Sequence, residues 1–257
     1  MNASFDILCR DLRARGIRPG DVLIVHSSLS SMGHVEGGAE TVIAALREVL
    51  GEEGTLLFPA LSFRTSCADS IFSYHETPAC IGKIAETFRT MPGVVRSFHP
   101  THSVSAIGKY AEELTCDHGM DDTPLGEHSP YRKLPAYGGK ILMLGCSARS
   151  NTFMHGMEEA AGVSYVLRGH QAFTMTDKDG NVTVKNVRRH NFNRPEGALL
   201  QRYDRSVDVL EEGEVWKGKV HGADCVLMDA AALEKRALAK MKEDPYYFID
   251  DPDGILK

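Results

Sequence analysis

The segment Asn151-Thr-Phe-Met-His155-Gly-Met-Glu158-Glu159 sets one imidazole close to two carboxylates. On a helix, Glu158 stands three residues from His155 and Glu159 four, so either acid reaches the ring. A carboxylate on one ring nitrogen fixes the tautomer and makes the other nitrogen more basic, which is how a general base is built. The same letters also fit a solvated helix face that carries a histidine by chance. A second segment, His26-Ser-Ser-Leu-Ser-Ser-Met-Gly33, follows a buried apolar run, where α/β sheets place their ligands. Its hydroxyls and exposed N–H groups, with Gly37-Gly38 opening the next helix, suit phosphates. It lacks the P-loop lysine and the GxGxxG order, so ATP and NAD fit poorly. In Arg96-Ser-Phe-His-Pro-Thr-His-Ser103, His99 and His102 are three apart, but Pro100 and the strand after it leave the two rings free to diverge. No HExxH pattern accompanies them, and no metal is expected. Asp121, Asp122 and Glu127 crowd one loop, enough to attract a polyamine and equally compatible with a solvated, turn-rich connection.

These segments need a frame. Phe5, Ile7, Leu8 and Leu12 predict an amphipathic helix over 4–15, and Asp21–His26 a buried strand. The repeat of Val42, Ile43, Leu46, Val49 and Leu50 predicts a helix over 39–50, with Gly51 ending it and a strand over 55–58 following. Strand, helix, strand implies a partly parallel sheet. Further on, helices are expected at 81–90 and 109–116, extended segments at 94–96 and 103–107, and a strand at 140–144. A helix capped by Asn151 should run to about Ala161. After residue 165 two alternating stretches, 171–176 and 182–187, flank the hairpin signal Asp-Lys-Asp-Gly-Asn. A short helix over 195–204, a strand over 220–228 and a helix over 230–242 complete the expectation. The fold class is α/β: a mixed, partly parallel central sheet flanked by helices, with an appended antiparallel portion, read as one domain over 1–257.

Composition narrows the function. Of 257 residues, 42% are hydrophobic and 25% charged, ordinary for a folded globular chain. The net charge of −6 argues against nucleic acid and is compatible with a cationic small substrate. No run of about 18 apolar residues appears, so no membrane partner is expected. Six cysteines without CxxC spacing read as free thiols, and with no apolar leader the chain is expected in the cytoplasm.

Taken in order, the motifs resemble one family. HSSLSSMG, GEEGTLLFPA, ETPACIGKIAETFR, MPGVVRSFHPTHSVSAIG, DDTPLGEHSP, GGKILMLGC and NTFMHGMEE are similar to the aminoglycoside 3-N-acetyltransferases, as is the ending GKVHGADCVLMDAAAL. The resemblance covers about Gly20 to Phe248. It implies an α/β fold distinct from the Gcn5 type, and acetyl-CoA as cosubstrate without a metal. The loop His26, Ser27, Ser28, Leu29 and Ser30 would hold the pyrophosphate and pantetheine, with Val35 and Ser103 lining the same channel. His155 would be the general base and Glu158 its partner. For a polycationic acceptor, Asp69, Asp122, Glu127 and Glu159 are the available acids, and His190 falls in a region that often faces the acceptor.

The implied activity is transfer of acetyl to a primary amine, on family precedent the 3-amino group of a 2-deoxystreptamine aminoglycoside. A protonated amine cannot attack a thioester, and an imidazole with a pKa of ~6.5 can take its proton. Transfer is expected to be direct, since no cysteine adjoins a histidine; Cys146, just ahead of the His155 helix, is the nearest ping-pong candidate. Oxyanion donors are expected near Ser103 or the Thr152 hydroxyl. Three other readings compete: a family member acting on another amine, a silent CoA binder, and a serine hydrolase using Ser27 or Ser28, which the missing GxSxG elbow disfavours. A homodimer is compatible with the sequence.

Overall fold

The computed structural model describes residues 2–256. Seven strands form the main sheet, in the spatial order 215–220, 223–229, 140–144, 22–27, 55–59, 104–108, 95–96. The three central strands, Lys140–Leu144, Val22–Ser27 and Thr55–Pro59, run parallel, and the flanking strands pair antiparallel. The central strands are continuous apolar runs because both faces of the sheet are covered. Period-two alternation then divides them. Leu23, Val25, Leu56, Phe58, Leu142 and Leu144 pack against helices Ala3–Ala14, Gly38–Leu50 and Lys83–Arg89. Val22, Ile24, Leu57, Ile141 and Met143 face the other layer, which includes helices Phe153–Ala161 and Ala230–Glu243. By the same alternation His26 falls on the Ile24 side, the layer that holds His155.

The appended portion is a small sheet in which Leu167–Thr176 and Val182–His190 form a long hairpin, and Ile71–Ser73 adds parallel to the first. Both hairpin strands run further than the alternation predicts, and the extension carries Arg189 and His190 to the main body. Two expectations change. The strand expected over 220–228 is a hairpin, Val215–Val220 and Ala223–Asp229, turning at His221 and Gly222 with φ of 48° and 81°. Two positive φ values are what a two-residue hairpin turn requires, and Trp216-Lys-Gly-Lys219 hid the first strand from hydropathy. The stretch 195–204 is not a helix: Gly197–Ala198 and Leu200–Gln201 are short strands, and a 3₁₀ turn follows at Tyr203–Val207. Pro195 and Gly197 oppose helical continuation there. A helix at Phe63–Asp69 and the strand at Ile71–Ser73 carried no sequence signal strong enough to predict. All six cysteines are free thiols. Among the described residues no helix is long and apolar enough to cross a membrane.

Candidate active site

Asn151 starts the His155 helix by accepting the Phe153 N–H on its Oδ1 at 3.2 Å. Gly162, at φ 67°, ends it by donating to Glu159 O. Phe153, Met154 and Met157 turn into the core. That anchoring leaves His155 at the wall of two cavities and drives Glu158 fully inside, at 0% exposure.

The buried carboxylate is satisfied by two phenols. Tyr165 donates to Glu158 Oε1 at 2.9 Å, and Tyr203 donates to Oε2 at 2.5 Å. The Tyr203 oxygen lies 2.7 Å from His155 Nδ1, whereas Glu158 Oε2 is 3.5 Å from that nitrogen. The Tyr203 proton is committed to the carboxylate, so Nδ1 must be the donor to the phenol oxygen. This network assigns the Nδ1–H tautomer and leaves Nε2 with its lone pair. Burial, with Glu158 alongside, pushes the Tyr203 and Tyr165 hydroxyls well above the usual phenol range and keeps both as donors.

Glu159 serves another ring. Its Oε1 lies 2.7 Å from His190 Nε2 and accepts the Leu125 N–H at 3.0 Å, while burial pushes its carboxyl up. The His190 ring stacks on His155 with centroids 4.2 Å apart. His102 stands edge-on to both, at 4.8 Å from His190 and 6.0 Å from His155, with Nδ1 2.8 Å from Thr101 Oγ1. Burial holds His102 and His190 well below the usual imidazole range. One ring nitrogen from each of these three histidines falls within 4.8 Å of the others, close enough to share a divalent ion. His99 is not in this group. It stacks on His118 at 4.7 Å, and its Nδ1 accepts the N–H groups of Thr101 and His102.

Two cavities meet at His155. The smaller, about 420 Å³, is bounded by His26, Ser27, Cys146, Asn151 and Thr152. Among the described residues Asn151 Nδ2 is buried there without a hydrogen-bond partner, and so is His26 Nε2. Burial takes the His26 pKa down to about 3. The Cys146 thiol is pushed up to about 11 by burial, which makes thiolate scarce. The larger chamber, about 630 Å³, lies on the far side of His155, bounded by Phe63, His102, His190 and Phe192 together with Arg149 and Arg189.

The other residues singled out in the sequence are distributed unevenly. Ser28, Leu29 and Ser30 follow Ser27 in the next turn and do not themselves bound the smaller cavity; Ser28 Oγ is 3.2 Å from Ser30 Oγ and 2.9 Å from Ser31 Oγ. Among the described residues no histidine is hydrogen-bonded to these hydroxyls, so the hydrolase reading has no triad. Val35 is in the helix-packed core. Ser103 is fully buried, donating to Ala60 O and accepting from Arg96 Nε, both at 2.9 Å. Neither bounds the cavities. Asp69, Asp122 and Glu127 are exposed and do not reach the chamber. The acidic loop is folded back on itself: the buried Asp121 carboxylate accepts the His128 N–H and lies 2.8 Å from its Nδ1, and Leu125 N is tied to Glu159. Tyr203, Tyr165 and His102 complete the site without having been singled out as partners of His155. A lone tyrosine inside the charged run Arg202–Arg205 was the one available hint.

Known proteins resemble this chain over most of its length. The family profile described as aminoglycoside 3-N-acetyltransferase matches residues 24–242. Aminoglycoside N(3)-acetyltransferase IX of Micromonospora chalcea is 30% identical over 90% of this chain and 92% of its own. Aminoglycoside N(3)-acetyltransferase VII of Streptomyces paromomycinus is 39% identical over 60% of this chain and 59% of its own. Among solved structures, AAC-IIIb in a binary complex with CoASH superposes with a TM-score of 0.82 at 29% identity, covering 94% of this chain and 97% of that one. AAC(3)-IVa in complex with gentamicin gives 0.80 at 27% identity, covering 98% and 94%. With the profile spanning most of its length, the chain belongs to the aminoglycoside 3-N-acetyltransferase family.

Proposed function

We propose that the protein transfers acetyl from acetyl-CoA directly to a primary amine, with His155 as general base. The observation that carries this reading is the chain His155 Nδ1–H to Tyr203 to Glu158, which leaves Nε2 unprotonated between two cavities. The smaller cavity, with Ser27 in its wall and the hydroxyl-rich turn following it in the chain, suits the pantetheine and thioester; the larger suits the acceptor. The amine nitrogen attacks the thioester carbonyl carbon as Nε2 takes its proton. The C–N bond forms, the C–S bond breaks as the intermediate collapses, and the thiolate leaves to be protonated by the imidazolium, giving CoASH and the amide. Glu158 stabilises the imidazolium through Tyr203, as a carboxylate does in a triad. The unpartnered Asn151 amide is the donor best suited to the developing oxyanion.

Relatives named aminoglycoside N(3)-acetyltransferases, and family structures holding gentamicin and sisomicin, make the 3-amino group of a 2-deoxystreptamine aminoglycoside the first acceptor to test. A second acceptor reading, an amine outside that class, is favoured by a chamber wall that carries arginine and no carboxylate. The test is thiol release from acetyl-CoA across aminoglycosides and simple amines, with His155→Ala alongside. Release that falls by about 10²–10⁴ in the variant, at unchanged CoA affinity, supports the base. CoA binding without release from any amine would overturn the reading.

A further inference from the structure

The chain carries 35 acidic and 29 basic residues, yet the cavities around the base are populated by one sign of charge. Besides the two cavities that meet at His155, an annex of about 570 Å³ shares Arg189 and His190 with the larger chamber. Among the described residues none of the three has an aspartate or glutamate in its wall, whereas Arg64, Arg149, Arg168 and Arg189 all contribute. The two acids on the His155 helix are withdrawn. Glu158 is saturated by two tyrosines, and Glu159 is 5% exposed and bound to His190 and Leu125.

The four arginines divide by position. Arg64 borders the smaller cavity and Arg149 borders both it and the larger chamber, where the phosphates of the cosubstrate would draw them. Arg149 also has Asp204 at 3.6 Å. Arg168 and Arg189 border only the acceptor side. Arg189 donates to Gln171 Oε1 at 2.9 Å and Arg168 to Asn191 Oδ1 at 2.8 Å, and among the described residues neither has an ion-pair partner. Both residues are exposed and face each other across the hairpin, Arg189 at the chamber and Arg168 at the annex, and two neighbouring guanidinium groups are suited to bidentate recognition of an anion. Arg189 and His155 border the same chamber, so an anion bound by Arg189 and the reacting nitrogen share one cavity.

We infer that the acceptor carries an anionic group, a carboxylate or a phosphate-like oxyanion, which Arg189 and Arg168 bind while its amine meets His155. This rests on the acetyltransferase reading and specifies its acceptor. A polycation finds no aspartate or glutamate among the described residues of these walls to pair with its further ammonium groups, so aminoglycosides are the disfavoured end of the series.

The test uses the full chain and three acceptors of equal chain length: an aminoalkyl carboxylate, the matching aminoalkyl phosphonate and the matching amino alcohol, with an aminoglycoside as fourth. Each is measured by thiol release and by calorimetric titration of the enzyme. The expected result is about 10- to 100-fold higher kcat/KM and tighter binding for one or both anionic acceptors than for the alcohol. Arg189→Gln should remove that advantage and leave the KM for acetyl-CoA unchanged. The better of the carboxylate and the phosphonate identifies the anion. Equal or better use of the alcohol or the aminoglycoside would overturn the inference, as would an Arg189→Gln effect confined to acetyl-CoA. Absence of thiol release from all four would count against acetyl transfer, and the titrations would still decide the anion site.

Discussion

The Tyr203 hydroxyl lies 2.7 Å from His155 Nδ1 and 2.5 Å from Glu158 Oε2, nearer to each than the 3.5 Å that separates the two. The phenol therefore relays the carboxylate to the imidazole. Tyr203→Phe keeps the packing and removes the relay. We expect kcat to fall about 10- to 100-fold with the KM for acetyl-CoA unchanged, as for other outer partners of functional histidines. Loss of a donor to a buried carboxylate should also cost about 1–3 kcal/mol of stability. Steady-state kinetics and urea unfolding of the same preparation separate the two effects, and an unchanged kcat would refute the relay.

Asn151 holds its helix start through Oδ1 and leaves Nδ2 buried and unpaired beside the cavity that His155 borders. A buried donor with no partner is costly unless something else accepts from it. Asn151→Asp keeps the capping oxygen and removes the donor. The expected outcome is a kcat lower by about 10²–10³ with acetyl-CoA still bound, the size seen when an oxyanion donor is lost. Equal kcat in Asn151→Asp would take the oxyanion role away from this amide.

Direct transfer requires no acyl-enzyme. Burial pushes the Cys146 thiol up to about 11, so near neutral pH almost none is thiolate. Cys146→Ala should retain kcat within about threefold, since it removes only a small half-buried group and no reacting atom. Intact-mass analysis after incubation with acetyl-CoA alone should find no acetyl adduct. An adduct lost in the alanine variant would establish the ping-pong route instead.

Acid should unfold this protein through its buried histidines. His26 and His118 both have pKa values brought down to about 3 by burial, against ~6.5 in the unfolded chain. Between those values the unfolded state binds more protons, so the stability they contribute is fully present above pH 6.5 and is lost as pH falls toward 3. Each histidine should cost about 2 kcal/mol at pH 5 relative to neutral pH. The raised carboxyls of Asp121 and Glu159 act in the opposite sense. His118 Nδ1 lies 2.8 Å from Ser97 Oγ and Nε2 3.2 Å from Pro124 O, so His118→Gln retains polarity while removing one proton site. Urea midpoints from pH 7 to 4 should decline less steeply in that variant, and an identical slope would show that His118 is not acid-labile.

Local chemistry and periodicity were enough to read most of the frame. The apolar runs at 22–27, 55–59 and 140–144 and the helical spacing at 38–50 state their burial in their own letters, because strand and helix periods are local properties. The partnership of His155 with Glu158 was equally local, three residues apart on one helix. What the letters left open was everything set by distant segments meeting. Glu158 and Glu159 are equally placed in sequence, and only packing decides that the first goes inward to Tyr165 and Tyr203 while the second meets His190. The acids at 69, 122 and 127 looked suited to a cationic substrate, yet backbone pairing and the Asp121–His128 contact keep them off the chamber wall. Arginine 189 reaches that wall, and arginine 168 the adjoining annex, because the hairpin strands extend past their alternating stretch. Side-chain charge is written in the sequence, but which charges share a cavity is a three-dimensional fact, decided by long-range contacts that no local pattern encodes.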